Sequence, residues 1–136
     1  MVIAGAAGLA VVTTVLPYLA DTHLLNAVNA DFGRHPESAM AEARQARALW
    51  PLESVYAVEV GNLAFERGDW VAARSAYRDA AELGTYNPAV YRNLALADRD
   101  LGLRSEGAAA ARKAVELDRF DPANQALLAQ FEVGAP

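Results

Sequence analysis

The chain has no cysteine among its 136 residues, which removes disulfides, thiolate metal ligands and thiol nucleophiles from consideration. That absence leaves the compartment open, because extracytoplasmic proteins also occur without cysteine. Aromatic residues are scarce, at 8% of the chain. The interior therefore cannot be filled mainly by large rings, and alanine, more than a fifth of all residues, has to build it through close helix contacts. The composition is that of an all-α protein. Positive charge is in deficit, 12 Lys and Arg against 17 Asp and Glu for a net charge of -5, which argues against a phosphate-binding surface. Nucleic acid is not an expected partner.

Charge is missing altogether from Val2 to Ala20. Nineteen helical residues span roughly 28 Å, close to the hydrocarbon thickness of a bilayer, so residues 1–20 are expected to form a transmembrane helix. A cleaved secretory signal is the competing reading, and would make the mature chain a soluble secreted protein. It is disfavoured because no Lys or Arg precedes the apolar run, and Tyr18-Leu19-Ala20 lacks the small residue expected three places before cleavage. A buried helix of a soluble protein is the third. The nearest basic residue is Arg34, so no basic flank orients the span or chooses which side carries the rest. This fits either a single-span anchor or the last span of a longer polytopic protein whose natural start precedes Met1.

From Ala20 onward a pattern returns every 34 residues. The units are 20–53, 54–87 and 88–121, followed by a helix over 122–132, all within a domain over 21–136. Small residues share columns: Ala39, Ala73 and Gly107, then Ala46, Ala80 and Ala114, and in the first helices Ala27, Gly61 and Ala95. Small residues seven apart lie on one helix face and let a neighbouring helix approach to about 8–9 Å. Leu49, Leu83 and Leu117 form a further column, expected to fill the seam. Helices are expected near 20–32, 36–49, 54–66, 70–83, 88–100, 105–117 and 122–132. Gly33, Gly68 and Gly102 are expected to end the first helices in left-handed geometry, and Asp69 and Ser105 to cap the second. Asn87-Pro88 and Asp121-Pro122 place a capping side chain before a proline suited to a first helical turn. In the final helix Leu127, Leu128 and Phe131 should face inward, and Asn124, Gln125 and Gln130 outward.

On these residues the chain resembles the tetratricopeptide repeat family, whose unit is a 34-residue helix-turn-helix. The middle unit matches best, through Gly61, Gly68-Asp69-Trp70, Ala73, Tyr77, Ala80 and Leu83. The resemblance implies a TPR-type α-solenoid of antiparallel helix pairs with a C-terminal capping helix, acting as a non-catalytic module for protein or peptide binding. The apolar span followed by Ala- and Arg-rich repeats is also similar to the C-terminal tails of bacterial O-antigen ligase and polymerase family proteins. That second likeness implies a glycan-transferring parent enzyme, with the repeats themselves non-catalytic.

The repeat geometry places Val58, Glu59, Asn62, Phe65 and Glu66 of the middle unit, with Arg92, Asn93, Leu96 and Arg99 of the next, along a peptide-binding groove. The resemblance implies a peptide-backbone role for Asn62 and Asn93. Val58 stands where the family's carboxylate-clamp subset has a lysine, which speaks against recognition of an acidic C-terminus. Glu59 and Glu66 opposite Arg92 and Arg99 suggest a salt-bridge ladder between neighbouring helices. No cofactor, metal site or catalytic residue is expected. His23, facing headgroups, and His35, in a turn, lack partners in a metal motif, and Asp98 with Asp100 and Asp118 with Asp121 read as solvated helix ends.

Overall fold

The computed structural model describes residues 11–133, and these contain helices and turns but no strand. A π-helical turn, Val11–Val15, leads directly into α1 (Leu16–Phe32). Six further helices follow: α2 (Pro36–Leu49), α3 (Ser54–Glu66), α4 (Trp70–Glu82), α5 (Pro88–Asp100), α6 (Arg104–Leu117) and α7 (Pro122–Glu132). The main packing is within the hairpins α1/α2, α3/α4 and α5/α6, with α2 against α3, α4 against α5 and α7 against α6 joining them into a stack. Such a unit buries its apolar faces only by stacking on neighbours.

The alanine columns explain the close approach. Ala27, Ala39, Ala46, Ala73, Ala80, Ala95 and Ala114 are all fully buried, and Gly61 and Gly107 are buried with them. Gly61 is a notch for Tyr77: a Cβ there would lie 2.6 Å from the ring. Gly107 does the same for Phe131, also at 2.6 Å. The leucine column departs from expectation. Leu83 is exposed because α4 ends at Glu82, leaving Leu83 in the cap beyond the seam, and Leu49 and Leu117 are only partly covered.

The caps are supplied mostly where the sequence places them. Asp69 accepts from the Ala72 N–H at 3.0 Å, Asn87 from Ala89 at 3.0 Å and Asp121 from Ala123 at 2.8 Å. Ser105 does not cap, because α6 starts one residue before it, at Arg104. Gly68 and Gly102 take positive φ, 69° and 75°, whereas Gly33 does not. In that first turn glycine stands one place early, so the left-handed position falls on Arg34 at φ 59°.

Two expectations about solvent exposure reverse. Asn124 is fully buried, not outward: its Nδ2 donates to the Ala114 and Asp118 carbonyls at 3.4 and 3.3 Å, satisfying the end of α6. Asp98 is 2% exposed instead of solvated, and it pairs with Arg74 of α4. A buried carboxylate needs such a partner to offset its lost hydration.

Among the described residues no helix is long and apolar enough to cross a membrane. The first half of the expected span, residues 1–10, lies outside the described residues. At its other end Ala20 is fully buried in a cluster with Ala46 and Tyr56, against Leu24, Leu49 and Trp50, and the neighbouring Asp21 accepts a hydrogen bond from the Tyr56 hydroxyl at 2.7 Å. The helix of the first hairpin thus begins inside the apolar run.

Candidate functional site

The first helices α1, α3 and α5 form one face of the stack, and the nine groove residues divide by depth across it. Val58, Phe65 and Leu96 are half-buried and pack on the core, Glu59, Asn62, Arg92 and Asn93 are half-buried polar groups, and Glu66 and Arg99 are exposed. The floor is a residue not among the nine. Tyr77 of α4 is fully buried, and its hydroxyl rises between α3 and α5.

That hydroxyl donates to Asn62 Oδ1 at 2.9 Å and accepts from Asn93 Nδ2 at 3.2 Å. The two asparagines are therefore brought together, through one phenol. Each uses part of its amide on the floor of the face, so neither is wholly free for a ligand's backbone. Burial pushes the Tyr77 phenol up to about 12; the Asn93 bond opposes the rise, and Glu66 and Glu59 add to it. Phe65 packs edge-on against Trp70, with centroids 5.1 Å apart, and against Tyr77 at 6.4 Å, fixing the aromatic base of the site.

The expected ladder from Glu59 and Glu66 to Arg92 and Arg99 is absent among the described residues. Arg92 Nη1 instead donates to Asp121 at 2.8 Å and to Asn124 at 3.4 Å, while Arg99 reaches Asp100 at 3.3 Å and Gln130 at 3.4 Å. Side chains on a helix lean toward its N-terminus, and Asp121 lies at the N-terminal edge of α5, in the turn before α7. The arginines thus turn toward the capping helix. The glutamates lie on the other half, where burial, then Asp31 and then Glu66 raise the Glu59 carboxyl above its ordinary range, against a hydrogen bond from Asn62.

Ion pairs at other faces hold the stack together. Arg47 of α2 pairs with Asp79 of α4, and Arg74 of α4 with Asp98 of α5. His23, expected to face headgroups, bonds Glu42 of α2 at 2.6 Å, which lowers the Glu42 carboxyl. His35 lies exposed in the first turn. Among the described residues no three His, Asp or Glu side chains converge as a metal site. The sequence held a signal for the Tyr77 floor, a tyrosine sixteen places after the notch glycine Gly61, but only the packing joins it to both asparagines.

No model of a known protein family matches the chain, and no curated protein does. Solved structures do. The TPR domain of Arabidopsis OM64 is similar at a TM-score of 0.81 and 16% identity, over 88% of this chain and 99% of that one. The first TPR domain of Spaghetti (RPAP3), bound to the HSP90 peptide SRMEEVD, is similar at 0.80 and 14% identity, over 86% and 93%. The Yersinia enterocolitica type III secretion translocator chaperone SycD is similar at 0.73 and 16% identity, over 84% and 92%. These likenesses establish the tetratricopeptide-repeat fold for this chain.

Proposed function

Starting from a tetratricopeptide-repeat fold, we propose that this chain is a non-catalytic module that holds a peptide segment of another protein on the α1/α3/α5 face. The observation that carries this reading is the carboxylate pair Glu59 and Glu66, with Asp31 nearby and no ion-paired cation among the described residues, beside an aromatic floor of Phe65 and Tyr77. Like charges gathered on a half-buried face raise their own energy, and a cation placed there relieves it. The partner segment is therefore basic where it meets Glu59 and Glu66. The similar Spaghetti domain is bound to a peptide, SRMEEVD, rich in acidic residues; Val58 and the glutamates give this face the opposite preference.

The test uses lysine-rich and glutamate-rich peptides of equal length, titrated by fluorescence anisotropy. The lysine-rich peptides should bind, and Glu59→Gln with Glu66→Gln should weaken them about tenfold, or 1.4 kcal/mol. Equal binding of the two peptide sets, or an unchanged affinity in the double variant, would remove the reading. Replacing Asn62 and Asn93 is a poorer probe, since it strips the buried Tyr77 hydroxyl of both partners.

The finer part of the proposal is that the module is tethered to a membrane by residues 2–20, as a single span or as the last span of a polytopic protein. The uncharged run in the sequence supports it, as do the exposed Val15, Tyr18 and Leu19 at the start of α1. Flotation with vesicles at high salt checks it, because a soluble secreted protein stays at the bottom of the gradient.

A further inference from the structure

Three large apolar residues recur at the repeat period in places where a folded domain has no use for them. Leu52, Tyr86 and Phe120 are 34 residues apart and 75%, 87% and 79% exposed. Each lies in the turn that follows a second helix and precedes a first helix. Because the first helices of a stacked array run parallel, these turns share one edge. The N-terminus of α1 opens on that same edge, as the packing of Ala20 and Asp21 beside Ala46, Leu49, Trp50 and Tyr56 demonstrates. The uncharged run that precedes α1 therefore enters the domain from the edge that displays Leu52, Tyr86 and Phe120. The turns at the opposite edge, Gly33-Arg34-His35, Arg67-Gly68-Asp69 and Asp100-Leu101-Gly102, carry mainly glycine and charge.

We propose that the edge bearing Leu52, Tyr86 and Phe120 rests in the headgroup region of a lipid bilayer, fixing the stack's orientation to the membrane. This rests on the tethered reading of residues 2–20. Aromatic side chains with a polar tip or a cationic neighbour favour that layer, and both kinds are present. Tyr86 carries its hydroxyl, and the Arg119 guanidinium lies 4.7 Å above the Phe120 ring. Charge around the tips is mixed: Lys113 and Arg119 are accompanied by Glu53, Glu82, Glu116 and Asp118. The contact is thus apolar and aromatic, with no requirement for anionic lipid. It also leaves the α1/α3/α5 face, which runs away from that edge along the helix axes, open to a partner.

The absence of native cysteine makes the test direct. Full-length single-cysteine variants Leu52→Cys, Tyr86→Cys and Phe120→Cys, with Arg67→Cys and Asp100→Cys at the opposite edge, are labelled with bimane. Each is reconstituted with phosphatidylcholine vesicles carrying brominated acyl chains, and helicity is checked by circular dichroism. Blue-shifted and quenched emission at 52, 86 and 120, with neither at 67 and 100, is the expected result. If the protein floats with the vesicles but the three tips stay unquenched, the edge contact is wrong while the tether stands. Equal quenching at both edges also overturns it. If the protein does not float, the tether fails and the edge orientation falls with it.

Discussion

Gly61 and Gly107 make the same kind of notch in two hairpins, and the aromatic ring that fills each has a different freedom. Tyr77 in the Gly61 notch is fully buried in α4, its hydroxyl held by Asn62 and Asn93. Phe131 in the Gly107 notch comes from α7, the capping helix; its ring carries no polar group, and it is tied through its backbone carbonyl, which accepts from Arg104 at 2.8 Å. Gly61 belongs to the small-residue column of the first helices and Gly107 to that of the second, and each is shaped by the ring it receives. In the middle unit Gly61 receives the ring whose hydroxyl joins Asn62 to Asn93; in the next Gly107 seats a cap.

The comparison can be broken most sharply at Gly61. Gly61→Ala sets a methyl against a ring that cannot retreat, so overpacking of about 1–3 kcal/mol should outweigh the roughly 1 kcal/mol that alanine gains in helix propensity. A lowered melting temperature is expected, and an unchanged one would mean that Tyr77 yields. Next in size is Tyr77→Phe, which keeps the ring and removes the shared hydroxyl, costing about 1 kcal/mol by leaving two half-buried amides short of a partner. Its alkaline behaviour adds a second reading. A phenol pushed to about 12 in the fold but titrating near 10.0 when unfolded contributes stability that is fully present below pH 10 and lost as pH rises toward about 12. Tyr77→Phe should therefore flatten part of the decline in that window, measured by denaturation at several pH values. It should not abolish the decline, because burial, with Asp21 next, also pushes Tyr56 up to about 12. The smallest effect belongs to Gly107→Ala. Phe131 sits near the end of the terminal helix and can give at the expense of the Arg104 bond to its carbonyl, although the Ala95 carbonyl lies 3.2 Å from the new methyl, so the net change should stay below about 1 kcal/mol. If Gly107→Ala proved the more damaging of the two glycine variants, the distinction between floor and cap would be wrong.

Much of this architecture was legible in the residues. Small side chains at Ala39, Ala73, Ala46, Ala80 and Ala114 leave a helix no option but close approach, and Asp69, Asn87 and Asp121 announce helix starts by their chemistry. The helix bounds follow from those two signals. What stayed hidden were the destinations of long polar side chains. Arg92 had two acidic directions open to it, and the lean of its helix sent it to Asp121 instead of Glu59. Asn124 reads as a surface residue by type, and its burial depends on the Ala114 and Asp118 carbonyls at the end of α6, to which its amide donates. The expected groove positions read as a strip in the sequence, but their wiring through Tyr77 required the contact between two helix pairs.

The burial of Asn124 carries a consequence for modularity. Read by period, the third unit closes at Asp121; read by hydrogen bonds, it does not, since the carbonyls of Ala114 and Asp118 accept from a side chain of the following helix. The Arg74–Asp98 pair crosses the previous boundary in the same sense, from a second helix to the first helix after it. The unit that repeats in the sequence is thus not closed in its bonding. A shuffled or truncated array cut at the 34-residue boundaries would sever these joints, whereas one cut within the hairpins would keep them and lose the Gly61 notch for Tyr77 and the Tyr77–Asn62 and His23–Glu42 bonds instead.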